Sequence, residues 1–469
     1  MRDAKRTTWI VLIGCLFCFP VYGYNWAENS GNGTPEDPYQ ISTSEQLLAI
    51  GSDSVLLSRH FILTADIDLV GRVFQTALIA PDIDILEPEY QGNPFTGTFD
   101  GRGFCVYNLT LESDQTGLDC LGLFGVLDDS AVVCNVELLA VQINAPVSFY
   151  AGGLAGRVSS ATIIQCSVRG HIIAAGLVGG LLGDVEQTTI QNCSFSGSLS
   201  SGDYPSSYMG GLIGRAYTVT VEGCWVSAAI TLGDGYVQAG GLIGGISSSA
   251  ILCSYVNVVM SCGADTAQIG GLVGAFDFSF INNCYSMGAI DASAASESIG
   301  GLVGHCDSIL FEIKHCYSVC RVTGGSGVNV GGFIGFCFPM LVNQCYFLQA
   351  SEGGGPDNGL GVSQTAAQLK QMATYEGWDF VGETLYGTSD YWRMCVNGLI
   401  YPRLSWQYAQ RGDFACPDGN NIGDLIALSY SWLSSKQDGI NYRLSVDADC
   451  SGRIDLADFS IMGIHWLSY

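Results

Sequence analysis

Six oxygen-bearing positions fall within twelve consecutive residues near the C-terminus: Asp447, Asp449, Ser451, Arg453, Asp455 and Asp458. Carboxylates or hydroxyls stand at positions 1, 3, 5, 9 and 12, and the Arg453 carbonyl stands at position 7. Gly452 at position 6 supplies the turn. This is the ligand pattern of a calcium loop, because Ca²⁺ takes six to eight hard oxygens from a short, sharply turned segment. Asp458, the last ligand, opens a helix whose dipole favours a carboxylate there. The cofactor expected is therefore calcium. A degenerate first copy, Asp418, Asn421 and Asp424, lies upstream. It is short, and its earlier ligand positions fall on Phe414 and Cys416. The two copies repeat at 34 residues, Asp424-Leu425 leading to Trp432-Leu433 and Asp458-Phe459 to Trp466-Leu467. Cys416 and Cys450 occupy comparable places before the two loops, so a disulfide between them is open in an exported protein.

Other residues that could do chemistry are weaker. Asp82, Asp84, Glu87 and Glu89 read as a solvated insertion or a cation loop. His305, Cys306, Asp307, His315, Cys316, Cys320 and Cys337 form the densest mixed group, open to a metal or disulfide role but more simply two irregular repeats. Acid/base cleavage of sugars needs carboxylates on one face at catalytic separation. The acids between 122 and 350, such as Asp184, Glu186, Asp277 and Asp307, show no shared repeat position, so no catalytic residue is assigned. A groove lined by a carboxylate pair would favour a carbohydrate-active alternative.

These residues must be positioned by the rest of the chain, and a repeat dominates it. Gly-Leu-x-Gly phrases begin at Gly122, Gly153, Gly180, Gly211, Gly241, Gly271 and Gly301, and Gly332-Phe333-Ile334-Gly335 follows. The intervals are 31, 27, 31, 30, 30, 30 and 31 residues. A constant period of this length signals a solenoid or propeller. A cysteine follows each phrase at Cys134, Cys166, Cys193, Cys224, Cys253, Cys284, Cys316 and Cys345, with apolar residues three before and six after. Each unit reads as three short strands. Thirty residues is short for a four-stranded propeller blade of about forty, so the fold expected is all-β, a parallel β-helix (β-solenoid) of ~30-residue coils. The cysteine column reads as a small apolar ladder turned inward, because no CxxC spacing accompanies it.

The domain reading follows. Residues 1–23 fit an export signal: Arg2, Lys5 and Arg6, then an apolar run, then small residues before Tyr24. Leu12-Ile13-Gly14-Cys15 also fits a lipidation box. Residues 24–121 form an N-terminal cap and first coils, with Ser44 capping a helix from Glu45. Residues 122–350 form the solenoid. Residues 351–411 form a C-terminal plug with a helix at 363–372, burying Trp378, Trp392 and Trp406 on the last coil. Residues 412–469 form the α-helical tandem calcium-loop module. With 44 acidic against 18 basic residues and net charge −26, nucleic-acid and anionic-membrane partners are excluded. No apolar run is long enough for a transmembrane span.

Two resemblances add to this. Gly270 to Gly274 with Asn283-Cys284-Tyr285-Ser286 resembles the GLUG repeat of bacterial surface proteins, which include IgA-cleaving metallopeptidases. The resemblance covers about 120–350 and carries no catalytic motif. The five histidines form no HExxH pair, so protease activity does not transfer. The 412–469 unit, with Asp at position 12 and a helix only after the loop, resembles dockerin type I modules. That resemblance implies a cohesin-like or cell-envelope partner and, by association, polysaccharide degradation. The function expected is an exported, non-catalytic scaffold or adhesion protein, secreted or at the cell surface. The alternative is a carbohydrate-active enzyme or sugar-binding accessory.

Overall fold

The computed structural model describes residues 24–26, 29–84, 90–114, 119–202, 206–233, 235–263, 266–293, 297–307, 312–325, 329–338, 342–409, 412–415, 422–436, 445–449 and 453–466. The architecture is a parallel β-solenoid. One coil runs through Leu177–Gly179, Leu182–Glu186, Thr189–Gln191 and Ser194–Ser201. Each strand joins a different parallel sheet, here sheets I to IV in that order. Each coil therefore has four strands, not the three the repeat suggested. The Gly-Leu-x-Gly phrase is not one strand: its first two residues form the corner between sheets I and II. That corner is tight enough to demand glycine. A Cβ on Gly241 would lie 2.0 Å from the Gly271 carbonyl oxygen of the next coil. Close approach, not left-handed backbone, fixes this glycine.

The interior is one continuous apolar column, with Leu154, Leu181, Leu212, Leu242, Leu272, Leu302 and Phe333 stacked in it. The corner between sheets III and IV is turned by residues with positive φ: Gln165, Asn192, Gly223, Cys253, Asn283, His315 and Gln344. The residue after each corner points inward, at Cys166, Cys193, Cys224, Ser254, Cys284, Cys316 and Cys345, all buried. The eight-cysteine column is thus corrected at two places. Cys253 is itself a corner residue and Ser254 takes its inward place. Cys134 precedes the corner at Asn135, and Val136 takes the inward place.

The column has a physical task. At the corner the backbone N–H loses its ladder carbonyl, and buried donors must be satisfied. The next coil's side chain accepts it: Cys166 N–H donates to Cys193 Sγ (3.5 Å), Cys193 N–H to Cys224 Sγ (3.4 Å) and Cys224 N–H to Ser254 Oγ (3.0 Å). The Cys166, Cys193, Cys224, Cys284 and Cys316 thiols donate to the carbonyl two residues back, as Cys193 does to Gln191 (3.2 Å). Burial pushes the Cys166, Cys193, Cys284 and Cys316 thiols well up.

The N-terminal helix spans Ser44–Gly51 and is capped by Thr43 in a capping box with Gln46. The cap is one residue earlier than Ser44, because the Thr43 hydroxyl and Gln46 amide satisfy each other's backbone. Asp82 is buried, and its Oδ1 accepts the Gln91 N–H at 3.1 Å, so it is not part of a solvated loop.

The 351–411 segment departs most from expectation. In place of a helix at 363–372 there is a strand, Val362–Gln364, and short 3₁₀ turns at Gln368–Lys370 and Met372–Thr374. The strand adds to sheet IV beside Tyr346–Leu348. Asn358 closes the end of sheet II, donating to the Ile334 and Gly335 carbonyls at 2.8 and 3.0 Å. Of the three tryptophans, Trp378 lies on the last coil beside Tyr346, and Trp392 and Trp406 lie on earlier coils. They run back along the flank, over an in-register ladder of Trp225, Tyr255, Tyr285, Tyr317 and Tyr346. Each indole N–H meets a corner: Trp378 donates to Gln344 O (3.1 Å), Trp392 to Asn283 Oδ1 (3.0 Å) and Trp406 to Cys253 O (2.9 Å). This strap carries the chain back towards the earlier coils.

Candidate metal centre

The helices Ile422–Ser431 and Leu456–Trp466 follow the strap. Asp424 and Asp458 sit in their first turns and are fully buried. The two do the same job. Asp424 Oδ1 accepts the Phe414 and Ala415 N–H groups at 2.6 and 2.7 Å, and Asp458 Oδ1 accepts those of Ala448 and Asp449 at 2.6 and 3.3 Å. The 34-residue offset therefore aligns 413–424 with 447–458. The first loop starts at Asp413, and its third position is Ala415, not the Phe414 and Cys416 register read from sequence. Asp418, Asn421, Ser451, Cys416 and Cys450 lie outside the described residues.

Around the second loop, carboxylate oxygens of Asp447, Asp449 and Asp458 lie within 4.8 Å of one another. Asp447 is 1% exposed and Asp458 0%. Burial first, then the charge of Asp449, pushes the Asp458 carboxyl up. Three converging carboxylates at such burial repel unless a cation or proton joins them. The donors are all hard oxygens, which suit Ca²⁺ over thiophilic metals. Asp455 stands outside this group of carboxylates. Asp455 Oδ1 instead accepts the Ala457 N–H at 2.9 Å, consistent with a ninth position that reaches an ion through water. The loop abuts the solenoid, since the corner residue Gln165 donates to the Asp449 carbonyl at 2.5 Å.

In the first loop the chain supplies a cation of its own. Arg393, 1% exposed and on the strap, donates to Asp413 O and Oδ1 at 2.5 Å each and to Ala415 O at 2.7 Å. Its guanidinium also stacks 4.3 Å from the Tyr408 ring centroid. Sequence reasoning missed this contact; the signal available was the lone Asp413 at position 1 of a loop lacking oxygens at 3 and 5. Cys395, two residues on, is disulfide-bonded.

The other groups separate. His305 faces outward between Ser298 Oγ (3.0 Å) and Asp307 Oδ1 (2.8 Å), while Cys306 is buried inside and His315 bonds Gln344 (2.7 Å). Among the described residues they form no metal cluster. The acids do share positions, against expectation. Glu186, Tyr217, Ser247 and Asp277 stand in one ladder on sheet II. Asp307 lies one rung beyond Asp277, one residue past the pair Phe276–Cys306. The alternation hid this because two polar non-acids separate Glu186 from Asp277.

No family model matches the chain. A 160-residue stretch is 33% identical to Halomucin from Haloquadratum walsbyi (strain DSM 16790 / HBSQ001), covering 32% of this chain. The chain spans about 2% of that relative's length. Two solved structures align over most of the chain. One is a candidate immunoglobulin A1 protease from Bacteroides ovatus, at TM-score 0.43 and 18% identity over 80% of this chain and 94% of that one. The other is an IgA1 protease, at TM-score 0.43 and 16% identity over 79% of this chain and 26% of that one. Likeness at this level carries no argument about activity. Among the described residues no helix is long and apolar enough to cross a membrane.

Proposed function

We propose that this chain is an exported β-solenoid scaffold whose C-terminal module, with one calcium ion held by Asp447, Asp449 and Asp458, docks to a cohesin-like or cell-envelope protein. One observation carries the docking reading. The two helices expose apolar side chains at matching positions: Ile422 and Leu456 (64% and 72%), Leu425 and Phe459 (38% and 44%). Exposed apolar residues paired by an internal repeat present the same face twice, as a partner-binding surface does. Calcium would fix the second loop and so the start of its helix. Extracellular placement is supported by the charge and hydropathy pattern of residues 1–23 and by the likeness to Halomucin. The test is binding of the full chain to cohesin-type domains by surface plasmon resonance, with calcium and with chelator. Calcium-dependent capture lost in Ile422→Asp/Leu456→Asp supports the reading. Capture unaffected by that double change overturns it.

A second reading, a sugar-binding accessory, is favoured by a hollow on the solenoid face that holds the Glu186–Asp277 ladder.

A further inference from the structure

The ladder Asp184, Arg215, Gly245, Ala275 and His305 crosses sheet II in register. Its side chains shrink to hydrogen and methyl for two coils, between a guanidinium and an imidazole. The neighbouring ladder on sheet I is Tyr208, Gln238, Gln268 and Ser298. The missing side chains leave a hollow of about 430 Å³, within the range of small-ligand sites. The glycine is what keeps it open: a Cβ on Gly245 would sit 2.6 Å from the Tyr208 ring and 3.0 Å from Gln238 Oε1. Gln238 therefore aims its carbonyl oxygen into the space.

The lining is rich in acceptors, and its nitrogen donors are engaged. Arg215 is spent on Asp184, in a fork at 2.9 and 3.0 Å. The amide nitrogens of Gln238 and Gln268 go to Tyr236 and Glu297 at 2.9 and 2.8 Å. Asp307 Oδ1 meets the His305 ring at 2.8 Å, while among the lining residues neither Glu186 nor Asp277 has a lysine or arginine partner. Burial and then the Asp307 charge raise the Asp277 carboxyl, as expected for carboxylates one strand spacing apart, about 4.8 Å. Tyr217, half exposed, offers an aromatic face at the rim.

We infer that this hollow binds a glycan carrying a protonated amine, its ammonium between Asp277 and Asp307 and its hydroxyls on acceptors along the coils. Anionic sugars are excluded by the charge balance of the lining, where Asp184, Glu186, Asp277 and Asp307 face the single arginine Arg215. A lysine or arginine side chain would satisfy only the Asp277–Asp307 end. The acceptors run from Tyr217 to Asp307 over about 15 Å of stacked coils, and a hydroxylated frame supplies donors along that length. The inference deepens the sugar-binding reading and does not depend on the calcium module.

The experiment is isothermal titration of the full chain with glucosamine oligomers, the same oligomers N-acetylated, and oligolysine. Tight binding of the amine form, at least tenfold above the acetylated one, equivalent to about 1.4 kcal/mol, supports the inference. Equal binding of the acetylated form sinks the amine while leaving the sugar reading. Binding of oligolysine alone, or of nothing, sinks both. Asp277→Asn should lose the amine preference, about tenfold, with an unchanged melting profile. Gly245→Val fills the hollow and should abolish binding of every oligomer. If that variant fails to fold, Asp277→Asn decides alone.

Discussion

The Arg393 guanidinium donates to both the carbonyl and the carboxylate of Asp413, at 2.5 Å each. Asp413 is the counterpart of Asp447, 34 residues on. In one loop the first carboxylate is neutralised by the chain's own arginine; in the other it faces two more carboxylates. The tandem is therefore asymmetric. Arginine suits the first place because its planar fork satisfies several oxygens at once and keeps its charge when buried. The contact also fastens the module to the strap, and through the strap to the coils.

Loss of the arginine should free the module. Removing one partner of a buried ion pair costs about 3–5 kcal/mol, because the other charge is left without compensation. Arg393→Met is expected to expose the chain near 412 to limited proteolysis while the solenoid stays resistant. Arg393→Lys should rescue only in part, since an ammonium cannot reproduce the fork. An unchanged cleavage pattern in Arg393→Met would show that Asp413 holds nothing.

Calcium should fill one loop only. Equilibrium dialysis of the full chain is expected to give one ion, with Asp447→Asn and Asp458→Asn each removing it. At one hundred times the dissociation constant the ion adds about 2.7 kcal/mol to the state that binds it. Melting of the module should rise accordingly in the wild type and not in Asp447→Asn. Two ions per chain would contradict the arginine's role at the first loop.

The cysteine column should behave as buried hydrogen-bonding filler. Ser254 already stands in it, accepting the Cys224 N–H and donating to Leu252 O at 2.8 Å. Cys193→Ser should therefore cost little. Cys193→Ala leaves the Cys166 N–H without its acceptor, at about 1–3 kcal/mol. Denaturant melts of the two variants check the order. A thiol reagent at neutral pH should leave Cys166, Cys193, Cys284 and Cys316 unmodified until the chain unfolds, because burial holds their thiols protonated.

The solenoid was legible because coil stacking converts sequence period directly into spatial register. Leu212, Leu242 and Leu272 fall on one column for that reason. The same directness misled at Cys253, where a conspicuous residue slipped one place and the unremarked Ser254 held the column. The fourth strand was hidden because Gly-Leu-x-Gly looks continuous, while its glycines mark a corner. The strap was not legible at all. Trp392 meets Asn283 across 109 residues, and no local pattern specifies a contact at that range. The end-plug expectation assumed that aromatics cover an open end; Asn358 and the Val362–Gln364 strand do that, and the tryptophans are left for the flank. The convergence of Asp447, Asp449 and Asp458 was read from ligand spacing alone. The first was misregistered because its decisive partner, Arg393, lies outside the motif.

The strap should respond to pH through His315. Its ring lies 5.9 Å from that of Trp378, and its Nε2 is 2.7 Å from Gln344 Oε1 at the next corner. Burial holds its pKa below the ordinary value. The unfolded chain therefore takes up a proton before the folded one does. Stability conferred by the neutral ring is full above the unfolded value of about 6.5 and falls as the pH drops through that value toward the lower folded one. Tryptophan fluorescence melts are expected to lose midpoint between about pH 7.5 and pH 5. His315→Gln keeps a polar side chain at the corner and removes the titration, so it should flatten that slope. A slope that persists in the variant would place the pH response elsewhere in the chain.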